Sequence, residues 1–147
     1  MKAVGYVRVS TQEQAKGGIS LDMQRAKVSS YAALEEMDLI ETVADEGISG
    51  CTIKARPGIQ QVMKMVRAKE VQAIIIYKLD RLSRNTIEAL QIARLMDRKG
   101  AALHSITEKL DTKSAMGRFF FTLMASIAEM ERGLIREIGR ASCRERV

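Results

Sequence analysis

The sequence predicts an α/β domain: a mostly parallel sheet with flanking helices, ending in a long C-terminal oligomerisation helix. Three observations carry this reading. Short apolar runs alternate with segments whose apolar residues recur every three or four positions, the pattern of strand–helix–strand units joined by right-handed crossovers. The run Ala73-Ile74-Ile75-Ile76 has no polar face, as a central strand covered on both sides requires. From about 115 to 138 the chain reads as one helix with more than one apolar face.

Ala3 to Val9 is the first strand, and Gly17-Gly18-Ile19-Ser20 opens a helix running roughly to Met37, with Leu21, Val28, Tyr31 and Leu34 near helical spacing. Leu39 to Ala44 is the second strand, followed by a polar, glycine-containing stretch from Asp45 to Arg56 that reads as a mobile loop. Pro57 suits the first turn of the next helix, where Ile59, Val62, Met63 and Val66 share a face. Gln72 to Tyr77 is the third strand. A helix from Thr86 to Lys99 stops at Gly100, Ala101 to Thr107 is the fourth strand, and Glu108 to Ser114 is loop. In the last helix Phe120, Leu123, Ile127, Met130 and Leu134 form one stripe, while Phe119, Phe121, Met124 and Ile135 lie outside it. The surplus apolar surface points to a partner helix; burial within its own domain is the competing reading.

At 147 residues, 46% hydrophobic and 29% charged, the chain suits one soluble domain with a real core. Lys and Arg total 24 against 18 Asp and Glu, a net charge of +6 that favours a polyanionic partner such as nucleic acid. Aromatic content of 4% without tryptophan argues against base stacking and for phosphate contact. No apolar run approaches the ~20 residues that span a bilayer, and the amino terminus lacks a signal-peptide pattern. Cys51 and Cys143 have neither disulfide-framework nor metal-ligand spacing. A cytoplasmic location is expected.

The chemistry sits at strand ends. Strand alternation places Tyr6, Arg8 and Ser10 on one face, with Val7 and Val9 on the other. The third strand delivers Asp80, Arg81 and Arg84 just beyond its carboxyl end, where open α/β sheets bind ligands. Taken singly, a wet edge strand and a solvated loop with ordinary ion pairs would account for these segments. His104, the one histidine, falls mid-strand and reads as structural. No G-x-S-x-G elbow is present, Gly17-Gly18 lacks P-loop spacing, and the candidate site offers no metal-binding cluster. A serine among arginines remains. Guanidiniums bind phosphate oxygens bidentately and can neutralise charge developing on a phosphodiester without a metal, so covalent phosphoryl transfer through a phosphoserine intermediate is the expected chemistry.

With those residues in view, the chain from about 2 to 137 resembles the catalytic domain of the serine recombinases, the resolvase/invertase family of site-specific DNA recombinases. The resemblance rests on Gly5-Tyr6-Val7-Arg8-Val9-Ser10-Thr11, Ser20-Leu21-Asp22-Met23-Gln24 and Tyr77-Lys78-Leu79-Asp80-Arg81-Leu82-Ser83-Arg84. Met116-Gly117 and Ala128-Glu129-Met130-Glu131-Arg132 add to it. It implies a resolvase-like fold and DNA strand exchange in which Ser10 attacks the scissile phosphate and holds the DNA 5′ end. Arg8, Arg81 and Arg84 would bind and polarise that phosphate, and Asp80 would orient arginines or help proton transfer. Arg56 matches a further family arginine that reaches the site on assembly. Tyr6, Gln14 and Gln24 would position groups, and Asp45 would be a supporting carboxylate. Glu131 and Arg132 lie where the family builds its dimer and tetramer interface and approaches DNA. Implied partners are double-stranded DNA and further copies of the chain, in a dimer and a synaptic tetramer, without metal or nucleotide cofactor.

Residues 139–147 depart from the family's continuation and read as a tail outside the catalytic domain of 1–138, a truncation scar, foreign sequence or sequencing artefact. The family's C-terminal DNA-binding domain is expected to be absent. Two other readings compete: a catalytically unproductive oligomerisation module, and a small-molecule hydrolase, which would leave the arginines and the charge unexplained.

Overall fold

The computed structural model describes residues 1–9, 20–46, 56–82, 86–123, 126–127, 130 and 133–134, apart from the side chains of residues 80, 86 and 87. Five strands form one sheet: β1 (Lys2–Val9), β2 (Asp38–Glu46), β3 (Ala73–Ile76), β4 (Ala102–Ser105) and β5 (Leu110–Asp111). Between them run α1 (Leu21–Leu34), α2 (Pro57–Arg67), α3 (Leu79–Leu82) and α4 (Thr86–Arg98). Residues 115–123 are helical. The described segments bear out the alternation. The expected helix from 115 to 138 is described only in part.

The strand order is β2-β1-β3-β4-β5, with β5 alone antiparallel. Chain direction across the sheet reverses between β1 and β3, so the carboxyl ends of these two strands flank the topological switch point. β1 is therefore central and not an edge strand. Tyr6 pairs in register with Ile76 on one side and Val43 on the other.

Side-chain alternation divides the core between the two faces. Val4, Tyr6, Ile74 and Ile76 pack with Ile59, Val62 and Val66 of α2, Ile92 and Met96 of α4, and Phe121. Ala3, Val7, Ala73 and Ile75 face Val28 and Ala32 of α1. Every residue of β3 is buried, which explains its unbroken apolar run. Fully burying each such isoleucine contributes about 1.5–3 kcal/mol relative to leaving it exposed. Gly5 lets α1 approach, since a Cβ there would lie 2.6 Å from Val28 Cγ1.

Several expectations are corrected. α1 buries Gln24, Val28 and Ala32, while Leu34 is 79% exposed. Ser20 caps that helix by accepting from Met23 N–H at 3.2 Å. β2 continues through Asp45 to Glu46, so the stretch from Asp45 to Arg56 is not loop throughout; residues 47–55 lie outside the described residues. A two-residue strand, β5, interrupts the expected loop after β4. Gly100 takes the left-handed conformation (φ 75°) expected where α4 ends.

Candidate active site

At the carboxyl ends of β1, β2 and β3 the chain buries a polar network. Tyr6 and Arg8 are fully buried, not a wet strand face, because helices cover both sides of the sheet. Arg56 is also fully buried, and Arg81 nearly so. Burying guanidiniums is costly, so each must be met by polar groups that fix its place.

Main-chain carbonyls meet several of them. Arg8 Nε donates to the Arg81 carbonyl at 3.2 Å, and Arg81 Nη1 donates to the Arg8 carbonyl at 3.5 Å. This reciprocal pair ties the end of β1 to α3 across the switch point. Gln24 reads the same stretch of β1: its Oε1 accepts from Arg8 N–H at 3.3 Å and its Nε2 donates to Arg8 O at 3.1 Å. A glutamine is thus buried on an otherwise apolar helix face because its amide satisfies β1 where the sheet ladder runs out.

A second cluster surrounds Asp45. Its carboxylate accepts from Tyr6 Oη at 2.7 Å, from Gly58 N–H at 2.8 Å and from Ile59 N–H at 3.1 Å. The last two are first-turn amides of α2, whose own N-cap residue, Arg56, makes no side-chain cap. Asp45 therefore caps α2 from the end of β2. Gly58 permits it, since a Cβ there would lie 2.7 Å from Asp45 Oδ1. Arg56 Nη1 donates to the Leu82 carbonyl and, at 3.5 Å, to Tyr6 Oη. Its Nε and Nη2 are buried without a hydrogen-bond partner among the described residues. The Tyr6 hydroxyl is held protonated far above its ordinary range, first by burial and then by its bond to Asp45; the Arg56 and Arg8 charges oppose the shift.

Of the residues singled out in the sequence, Tyr6, Arg8, Gln24, Asp45, Arg56 and Arg81 therefore converge. Asp80 belongs to α3 by its backbone. Ser10, Gln14, Arg84, Glu131 and Arg132 lie outside the described residues. The carbonyls of Arg8, Arg81 and Leu82, and the turn carrying Glu108, escaped the sequence reading, because only the fold shows which main-chain groups face the site. His104 lies on β4, away from this network, with Nδ1 2.9 Å from Tyr31 Oη and Nε2 3.8 Å from Asp111 Oδ1. It packs in the sheet, as a structural histidine would.

The sequence profile of the family described as "Resolvase, N terminal domain" matches residues 3–146. The chain belongs to the resolvase family of serine recombinases. Among curated relatives the chain is 37% identical, over 93% of its length, to the DNA-invertase hin of Salmonella typhimurium. It is 35% identical, over 90% of its length, to the transposon Tn917 resolvase of Enterococcus faecalis. In both cases the chain spans 64% of the relative's own length. Among solved structures it superposes on the N-terminal catalytic domain of TP901-1 integrase with a TM-score of 0.80 and 32% identity, covering 91% of this chain and 98% of that one. A resolvase family site-specific recombinase from Streptococcus pneumoniae gives a TM-score of 0.82 at 25% identity, covering 99% and 97% of the two chains.

Proposed function

We propose that this serine recombinase chain acts as the catalytic domain of a site-specific DNA recombinase, cleaving and rejoining strands through a covalent 5′-phosphoserine at Ser10. The observation that carries this reading is the gathering of Arg8, Arg56 and Arg81 at the strand-order switch, at the end of the strand that leads into Ser10. In the proposed step the Ser10 oxygen attacks phosphorus, the bond to the 3′ oxygen breaks, and the 3′ hydroxyl leaves carrying a proton. One ester replaces another, so bond energy is retained for rejoining. Arg8, Arg81 and Arg84 bind the non-bridging oxygens and stabilise the charge that grows on them. Asp80 orients those arginines or assists proton transfer, and Arg56, which the resemblance had arriving only on assembly, already stands beside Tyr6 and the Leu82 carbonyl in the single chain. Tyr6, Gln14, Gln24 and Asp45 hold the frame, with Glu131 and Arg132 at the subunit and DNA approach. Residues 1–138 form the catalytic domain.

DNA is the proposed partner, reached in the cytoplasm at the nucleoid, with sequence-independent binding through phosphate contacts. Further copies of the chain are the other partner. Met116, Phe119, Leu123, Ile127, Met130 and Leu134 are all between 44% and 75% exposed, with Phe119 in the stripe in place of the expected Phe120, which packs against the core; this apolar face suits a dimer and a synaptic tetramer. The same face favours a second reading, a catalytically unproductive oligomerisation module. A DNA substrate nicked near the cleavage point separates the two when incubated without metal. Retained chemistry yields a denaturation-resistant protein–DNA adduct that Ser10→Ala abolishes; absence of adduct, with a dimer still formed, supports the module.

A further inference from the structure

The turn after β4 is stitched to the segment that carries Asp80 and Arg81. Ile106 N–H donates to the Ile76 carbonyl at 3.0 Å. Thr107 donates twice to the Tyr77 carbonyl, from its N–H at 3.0 Å and from its Oγ1 at 2.8 Å. Glu108 then reaches across: its Oε1 accepts from Leu79 N–H at 3.4 Å, and its Oε2 accepts from the Ser105 hydroxyl. Lys109 closes the turn with a left-handed backbone (φ 55°), its N–H donating to the Ile106 carbonyl at 3.3 Å.

Leu79 is the first residue of α3, so its N–H has no acceptor within that helix. Glu108 supplies one. At the far end of the same short segment, Arg8 holds the Arg81 carbonyl and Arg56 holds the Leu82 carbonyl. The segment is thus fixed at its entry from β4 and at its exit from β1 and α2. We infer that Glu108 is a positioning residue for the active site: through the Leu79 amide it sets the entry of α3 and so the place of Arg81 against Arg8. Ser105, buried at the end of β4, holds the carboxylate in that orientation. No interaction with DNA is required of Glu108, whose carboxylate bonds the Leu79 amide and the Ser105 hydroxyl.

The kinetic part of this inference rests on the phosphoryl-transfer reading; the structural part does not. Amide hydrogen exchange is measured by NMR on the full chain for wild type, Glu108→Ala and Glu108→Gln. In Glu108→Ala the Leu79 and Arg81 amides should exchange roughly tenfold faster, the worth of one hydrogen bond to a charged group, while Ile75 in the middle of the sheet is unchanged. Glu108→Gln keeps a carbonyl oxygen for Leu79 and an amide for Ser105, and should restore protection. Unchanged exchange at Leu79 and Arg81, or a rise shared equally by Ile75, overturns the inference. On the nicked substrate, Glu108→Ala should form adduct roughly tenfold more slowly at saturating DNA, with DNA affinity unaltered and the glutamine variant near wild type. Wild-type rates in Glu108→Ala overturn the inference. Absence of adduct from wild type counts against the phosphoryl-transfer reading alone, and the exchange result then decides for Glu108.

Discussion

Replacing Asp45 by alanine should destabilise the domain severely although the residue lies at a strand end. The carboxylate accepts three hydrogen bonds in a buried site, two from α2 amides and one from Tyr6. Losing the helix cap costs about 1–2 kcal/mol. Leaving the Tyr6 hydroxyl without its acceptor costs roughly 1–3 kcal/mol more. The sum is about 2–5 kcal/mol, and at roughly 2–4 °C per kcal/mol for a domain of this size the melting temperature should drop by about 10 °C. Thermal and urea unfolding of Asp45→Ala, Tyr6→Phe and the double variant measure this directly. Tyr6→Phe should cost less, and the double variant should show coupling of about 1 kcal/mol, because the two residues share one bond. Asp45→Asn should fall between, since its amide turns a donor toward a donor. Stability within about 0.5 kcal/mol of wild type in Asp45→Ala would refute the view that this carboxylate caps α2 from β2.

Other expectations follow from single contacts. Gln24→Leu removes both bonds to the Arg8 main chain, and should cost about 2 kcal/mol in urea unfolding while slowing adduct formation more than it weakens DNA binding. His104 is held below its ordinary pKa, chiefly by burial, with Lys113 adding to the shift and Asp111 and Glu35 opposing it. Its folded form therefore binds fewer protons than the unfolded chain: stability is full above about pH 6.5 and falls as pH drops below that value. Urea midpoints from pH 8 to pH 5 should show the decline, and His104→Gln should flatten it. Ile127→Asp places a charge in the exposed apolar face of the last helix and should yield a monomer by sedimentation, with thermal stability within about 1 kcal/mol of wild type.

How much was legible depends on whether one residue's pattern or another's position decides. β3, α2 and α4 carry their signals in their own residues: an unbroken apolar run marked β3, Pro57 and a shared apolar face marked α2, and Gly100 marked the end of α4. On α1 the expected Leu21, Val28 and Tyr31 do pack toward the sheet, but Gln24, buried for its amide bonds to Arg8, was missed because hydrophobic periodicity cannot register it, and Leu34 projects past the core. β5 has only two residues and exists because β4 offers it a partner. The arginines and Tyr6 stood out as polar residues at strand ends. Their burial did not, since it depends on helices covering both faces. Asp45 illustrates the boundary: its identity suggested a supporting carboxylate, but its cap on α2 depends on Gly58 and on β2 reaching Glu46. Glu108 carries no pattern at all and becomes meaningful only beside the Leu79 amide.

The central claim is a covalent bond between Ser10 and a DNA 5′ phosphate, and the most direct test is to find it. Adduct formed on a nicked substrate is trimmed with nuclease, digested with trypsin and mapped by mass spectrometry. The account predicts that the peptide Val9–Lys16 carries a nucleotide remnant attached through its 5′ phosphate, and that this species is missing in Ser10→Ala. A remnant on any other peptide, or an adduct that persists in Ser10→Ala, would contradict it.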